Sequence, residues 1–191
     1  IEMRLDQLGR EPRIVLETAS VIGTSFTTDT LLSALPDAGN GLFEQLKTLL
    51  NHDFLRQRWG SERYEFRHAL IRDVTYAKAP LPYRQLWHRR LAEALEQTTQ
   101  LTRPIVIELA RHYYFSLVEG YADAANPDET VILNRDSDPA TVDKALYYLL
   151  QSGQDALTRY ASNEAIIFFK RAQQVDLLRQ RSLSQHAQIH N

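Results

Sequence analysis

The stretch FLRQRWGSERYEFRH, residues 54–68, decides the fold of the first part of the chain. Tyr64 and Phe66 alternate with charged residues, which is the period of a strand with one buried face. The residues GSE in the middle favour a turn. We therefore predict a two-stranded antiparallel hairpin, after which a helical pattern begins within one residue of His68.

Three helical patterns precede this hairpin. Apolar residues recur at helical spacing over residues 5–23, as one interrupted helix or two short ones. Thr27 or Thr28 provides an N-cap for a short second helix, and residues 42–52 form a third. The apolar stripe of this third helix is predicted to be Leu42, Phe43, Leu46, Leu49 and Leu50. Three helices followed by a hairpin predict a winged helix over residues 1–68.

After the hairpin, the chain is mainly helical almost to its end. Residues 69–118 form a helical continuation, which is broken by prolines 80 and 82. Residues 119–139 hold six acidic residues against one arginine, together with the turn signals NPDE and DSDP. This segment is predicted to be a surface loop or an insertion, with its degree of order left open.

The stretch KALYYLLQSGQDALTRYASNEAIIFFKRAQQVD, residues 144–176, resembles a tetratricopeptide repeat. In this repeat, small residues lie where two antiparallel helices touch. The matching positions are Leu149, Gly153, Tyr160, Ala165, Phe169 and Ala172. The resemblance implies a helical hairpin over residues 140–180, followed by a tail over 181–191. One repeat cannot bury its own face, so we expect further repeats in a longer parent protein.

Composition excludes several classes of function. The chain has 191 residues, of which 43% are hydrophobic and 24% charged, with a formal net charge of −2. A nucleic-acid binder that works through overall charge is normally basic. Without cysteine there is no disulfide framework and no thiolate metal site. No apolar run is long enough to span a bilayer, and no signal peptide is visible, so we expect a cytoplasmic protein.

Catalytic motifs are absent from the sequence. No glycine-rich phosphate loop, H-E-x-x-H or G-x-S-x-G pattern occurs. The histidines do not pair at helical spacing, apart from the last two in the predicted tail. We therefore expect no enzymatic activity, no metal site, and neither a bound cofactor nor tight ATP binding in this fragment.

The stretch FRHALIRDVTYAKAPLPYRQLWHRRLAEALE, residues 66–96, is similar to the segment that follows the nucleotide-binding domain in STAND-class signalling ATPases. That segment comprises a winged helix, a helical continuation and tetratricopeptide repeats. The resemblance implies a regulatory and protein-interaction fragment of a parent protein that binds ATP and ADP. Its implied partners are the upstream nucleotide-binding domain, further repeats, and a protein or inducer.

The resemblance also implies a role for His68. STAND proteins carry a histidine just after the last strand of the winged helix, often in a methionine-histidine-aspartate triplet, where it contacts the β-phosphate of ADP. In this chain Arg67 replaces the methionine and Ala69 the aspartate. A helix start adds free N–H groups and a positive dipole end. The alternative is that His68 only caps the helix or packs against the wing.

The basic run RQLWHRR, residues 84–90, is a second candidate element of the phosphate site. With Leu86 and Leu91 facing inward, Arg84, His88 and Arg89 are predicted to form a cationic strip near His68. Arg67 and Arg84 are thus the weaker members of the predicted nucleotide site. The alternative is a solvated helix face.

A DNA-binding winged-helix regulator is the alternative function. The candidate recognition helix LFEQLKTLLNHDF offers one lysine and two acids, whereas base and phosphate contacts call for Arg, Lys, Asn and Gln. The residues of this helix therefore argue against DNA as a partner. The arginines of the wing keep the alternative open: Arg56, Arg58, Arg63 and Arg67.

Overall fold

A computed structural model of the chain describes residues 1–57, 60–98, 100–119 and 131–189, with side chains as far as residue 181. The described chain is mainly helical and carries a small antiparallel sheet. It divides into two compact units, Ile1–Leu91 and Ala92–Asn191. The sequence predicted a boundary at residue 68 instead. The difference arises because the helix that follows residue 68 packs on the second helix of the first unit.

The first unit is built from short helices around a three-stranded sheet. Its elements are α1 Glu2–Asp6, α2 Arg10–Ile22, β1 Ser25–Thr27, α3 Thr28–Ala34, a 3-10 turn Pro36–Ala38, α4 Leu42–Asn51, β2 Leu55–Gln57, β3 Arg63–Phe66 and α5 Ala69–Lys78. Helix α6, Leu81–Glu96, begins in this unit and continues into the next.

The predicted hairpin forms, but its sheet has a third strand. Strand β1 lies antiparallel to β3, so the order is β1-β3-β2, and Phe26 is opposite Tyr64. The rings of Phe26 and Tyr64 stack with their centroids 5.7 Å apart. The prediction of two strands was wrong because a strand of three residues is too short to show an alternating pattern.

Two details of the helices test the sequence pattern. Thr27 is the N-cap of α3, and its hydroxyl accepts a hydrogen bond from the amide of Thr30 at 3.2 Å. Phe43 was predicted to lie on the buried stripe of α4, but it is 72% exposed. Leu42, Leu46 and Leu49 fill the core instead. Phe43 follows Leu42 directly, so its side chain is rotated around the helix axis and falls outside the buried arc.

The second unit is a helical array that continues from the end of α6. Its elements are α7 Arg103–Leu117, β4 Val118–Glu119, β5 Ile132–Leu133, α8 Pro139–Thr158 and α9 Ser162–Ile189. Helix α8 packs against both α7 and α9. Helix α9 runs past residue 180, where the sequence had ended the hairpin and begun a tail. No helix in the described residues is both long and apolar enough to cross a membrane.

The acidic segment 119–139 is not a loop along its whole length. Strands β4 and β5 pair antiparallel, with Val118 opposite Leu133, and α8 begins at Pro139. The sequence left open whether this segment is ordered. Residues 120–130, which make up about half of it, lie outside the described residues. Val118 and Leu133 are both buried, which explains why an acidic segment includes a short two-stranded sheet.

The α8–α9 pair buries the small residues that suggested a repeat. Ala165 is 1% and Ala172 3% exposed, and Gly153 lies directly against the ring of Phe169. Tyr160 directly follows the end of α8 and is 94% exposed. The two helices therefore form a closely packed hairpin.

Candidate functional site

His68 lies between β3 and α5 and occupies the N-cap position of α5. Its backbone is extended, with φ −142° and ψ 143°. The residues before it are fixed by two backbone hydrogen bonds: the amide of Phe66 donates to Thr24 at 3.0 Å and that of Arg67 to Phe54 at 2.9 Å. The main chain is thus held in place while the His68 side chain is exposed.

The His68 side chain does not cap α5. It makes no hydrogen bond or ion pair within the described part of the chain. The amides of Ala69 and Leu70 likewise have no acceptor among the described residues, and both residues are exposed. An exposed imidazole and two open N–H groups at a helix start are a suitable set of donors for an oxyanion.

Arg72 is a cation near this helix start that the sequence reasoning missed. It lies four residues after the N-cap His68, in the first turn of α5. Its Nε donates to the carbonyl of Ser20 at 2.9 Å, and its Nη1 pairs with Asp73 at 3.0 Å. The i, i+4 spacing in HALIR was the signal available in the sequence. Arg67, the neighbour predicted from the family pattern, is exposed.

The predicted cationic strip on α6 is wrong for two of its three members. Arg84 is 6% and His88 1% exposed, so they form neither an accessible strip nor a solvated face. The Arg84 guanidinium lies 5.1 Å from the centre of the Tyr76 ring, and His88 Nε2 is 3.0 Å from the Tyr76 hydroxyl. A tyrosine face attracts a guanidinium, which lowers the cost of burying it.

The structure places Arg84 beside Tyr76 rather than beside the start of α5. Tyr76 lies eight residues after His68 on the same helix, which corresponds to a rise of about 12 Å. Arg72 also stacks on Tyr76, with its guanidinium carbon 5.1 Å from the ring centre. Of the residues proposed from the sequence, Arg67 and His68 therefore remain at the candidate site, and Arg84 belongs to the Tyr76 cluster.

Two of the cations on the surfaces that would contact DNA are paired with carboxylates. On α4, Lys47 lies 4.0 Å from Glu44. On the hairpin, Arg56 pairs with Glu65 at 2.9 Å, whereas Arg63 donates to the neutral hydroxyl of Ser25 at 3.4 Å. Arg58 lies outside the described residues. A metal site is not evident either, because the described residues contain no group of three potential ligands.

Comparison with known proteins gives one partial match. A protein of Rhizobium meliloti (strain 1021), described as uncharacterized, is 39% identical over 100 residues, which is 51% of this chain. The match covers 10% of that protein, so the chain spans only a small part of its relative. No protein-family model matches the chain, and no solved structure matches it.

Proposed function

We propose that the chain is a regulatory and interaction segment of a STAND-type signalling ATPase, without catalytic activity of its own. In this proposal, the first unit responds to the nucleotide held by an upstream domain, and the second unit is the start of a repeat arm that receives a protein or inducer. The observation that carries the proposal is His68, whose side chain is exposed at a fixed helix start and makes no cap hydrogen bond.

The arrangement of the first unit supports the winged-helix part of this proposal. Helix α2 is followed by β1, then by α3 and α4, and then by β2 and β3, with β1 paired to β3. This is the element order of a winged helix, in which the first short strand completes the sheet of the wing. The proposed sensor follows β3 directly, where STAND proteins carry their phosphate-contacting histidine.

The second unit supports the repeat arm. Gly153 of α8 lies against the Phe169 ring of α9, and both residues are at positions that match the repeat pattern. On α8, three large apolar residues remain exposed at helical spacing: Tyr147, Leu150 and Leu157. In a repeat array such a face is covered by the neighbouring repeat. We therefore propose that this face receives the next helix pair of the parent protein.

The proposal is tested by ADP release from the full-length protein that carries this chain. A charge-assisted hydrogen bond contributes about 1.5–3 kcal/mol, so His68→Ala should speed ADP release about tenfold or more and raise basal activity. The matched control is His52→Ala, because His52 is an exposed histidine of the same unit at the end of α4. Unchanged ADP release in His68→Ala would overturn the sensor role.

The DNA-binding alternative has weaker support. The outward face of α4 carries the Glu44–Lys47 pair and the exposed ring of Phe43, and neither is suited to bind phosphates. Titration of fluorescent duplex DNA at low and high salt separates the two proposals. Tight binding that weakens steeply with added salt would favour the DNA-binding regulator.

A further inference from the structure

The first unit contains an open cavity of about 440 Å³ that is separate from the His68 region. Helices α2 and α6, the 3-10 turn after α3, and the end of α5 supply its lining. Its volume lies in the range of about 300–1,000 Å³ that is common for small-molecule sites. Nothing in the proposed nucleotide sensing uses this cavity.

One wall of the cavity is apolar and aromatic. It is formed mainly by Ile14, Leu35, Leu86 and Trp87. Tyr83 stacks on Trp87 with the ring centroids 5.7 Å apart and an interplanar angle of 26°. Trp87 is 2% exposed and fixed in the core, whereas Tyr83 is 54% exposed. The buried Trp87 ring supports the Tyr83 ring from one side, and the exposed Tyr83 ring provides a surface on which a planar ligand can stack.

The charged residues of the cavity are not all neutralised. Arg13 pairs with Glu17 at 2.9 Å, and Lys78 lies 3.4 Å from Glu2. Arg10 and Arg90 also line the cavity, and neither has a carboxylate partner among the described residues. Both are therefore able to bind an added anion.

The charge balance favours an anionic ligand. Nη1 of Arg90 donates to the backbone carbonyl of Ala34 at 3.1 Å, which orients the guanidinium without neutralising it. Asp37 is the lining carboxylate that has no cationic partner in the described chain. Among the lining groups without an ionic partner, there are thus two guanidinium groups and one carboxylate. A guanidinium has the geometry to hold a carboxylate or phosphate with two hydrogen bonds.

We propose that this cavity binds a small amphipathic anion, with a planar aromatic body against Tyr83 and a carboxylate on Arg10 and Arg90. The inference does not depend on the role proposed for His68. Because the cavity is built within one unit, binding would be a property of the chain itself.

Isothermal titration of the chain with naphthoate and with neutral naphthamide tests both parts of the proposal. The two probes share the ring system and differ in charge, so naphthoate should bind saturably and more tightly. Equal affinity for the two probes would overturn the anionic part. Absence of saturable naphthoate binding at millimolar concentrations would overturn the whole proposal.

Variants then locate the binding. Arg90→Gln should weaken naphthoate binding about tenfold, since a charge-assisted hydrogen bond is lost, and leave naphthamide binding unchanged. Arg10→Gln acts at an exposed residue and keeps the test valid if Arg90→Gln disturbs the fold. Arg89→Gln, the neighbouring exposed arginine outside the cavity lining, is the matched control. An equal loss in Arg89→Gln, or no loss in either cavity variant, would overturn the assigned site.

Discussion

A side chain on Gly153 would collide with Phe169. A Cβ placed on Gly153 would lie 2.8 Å from Cε1 and 2.9 Å from Cζ of the Phe169 ring. Helices α8 and α9 therefore approach closely because one residue has no side chain and the other fills the space. Both atoms belong to the half-buried ring of Phe169, and at these distances the ring would have to move to admit a methyl group.

We predict that Gly153→Ala destabilises the protein. In an exposed helix, the same substitution would stabilise by up to about 1 kcal/mol, but overpacking at this contact should cost about 1–3 kcal/mol. Urea unfolding followed by circular dichroism measures the difference. In the double variant Gly153→Ala/Phe169→Leu, the leucine is smaller than the phenylalanine ring. This double variant should therefore be more stable than the single variant Gly153→Ala. A stabilised Gly153→Ala variant would show that the Phe169 ring moves aside for the added methyl group at little cost.

Tyr160→Gly is expected to stabilise the end of α8. Tyr160 has φ 59°, a left-handed conformation that suits glycine. The amide of the next residue, Ala161, donates to the carbonyl of Ala156 at 2.9 Å, which closes the helix end. Because Tyr160 is 94% exposed, little packing is lost, and we expect a gain of about 0.5–1 kcal/mol in the free energy of unfolding. Tyr160→Ala should give no such gain.

Stability should fall in mild acid because of His112. Burial, and then the nearby Arg111 cation, lower the pKa of His112 to about 4. Arg111 also donates to His112 Nε2 at 3.0 Å, so this nitrogen accepts and the imidazole is neutral. The unfolded chain takes up a proton near pH 6.5 and the folded chain only near pH 4. The stability present above pH 6.5 is therefore lost as the pH falls toward 4.

The expected loss is on the order of 3 kcal/mol over this pH window. Glu108 adds a second loss at lower pH. Burial opposes the shift of its carboxyl group, but the Arg111 guanidinium, which donates to Glu108 Oε2 at 2.6 Å, lowers the pKa of Glu108 to about 2. Urea unfolding at several pH values between 7 and 5 measures the first part of this loss, about 2 kcal/mol, above the range in which most carboxylates titrate. His112→Gln should flatten this dependence, and an equally steep dependence in that variant would assign the effect to another group.

His68→Ala should leave the free energy of unfolding within about 0.5 kcal/mol of the parent value, as is usual for an exposed position. Thr27→Ala should lose about 1 kcal/mol, because Thr27 does cap its helix. Thermal unfolding of the two variants makes the comparison. A clear loss in His68→Ala would mean that this side chain supports the fold rather than a ligand.

Local patterns in the sequence determined many of the elements correctly. Alternation at Tyr64 and Phe66 predicted β3, and the hydroxyl of Thr27 predicted a helix start. The spacing of Gly153 and Phe169 predicted a close helix pair. Each of these signals lies within one element or between two consecutive ones, and periodicity and capping act over such short distances.

Tertiary structure alone decided the features that depend on residues far apart in the chain. Strand β1 forms because Phe26 meets Tyr64, and three residues carry no period of their own. Arg84 and His88 are buried because Tyr76 lies against them, although their sequence pattern suggested a solvated face. A charged residue can be buried only where another element supplies compensating contacts, and sequence spacing along one helix does not specify that element.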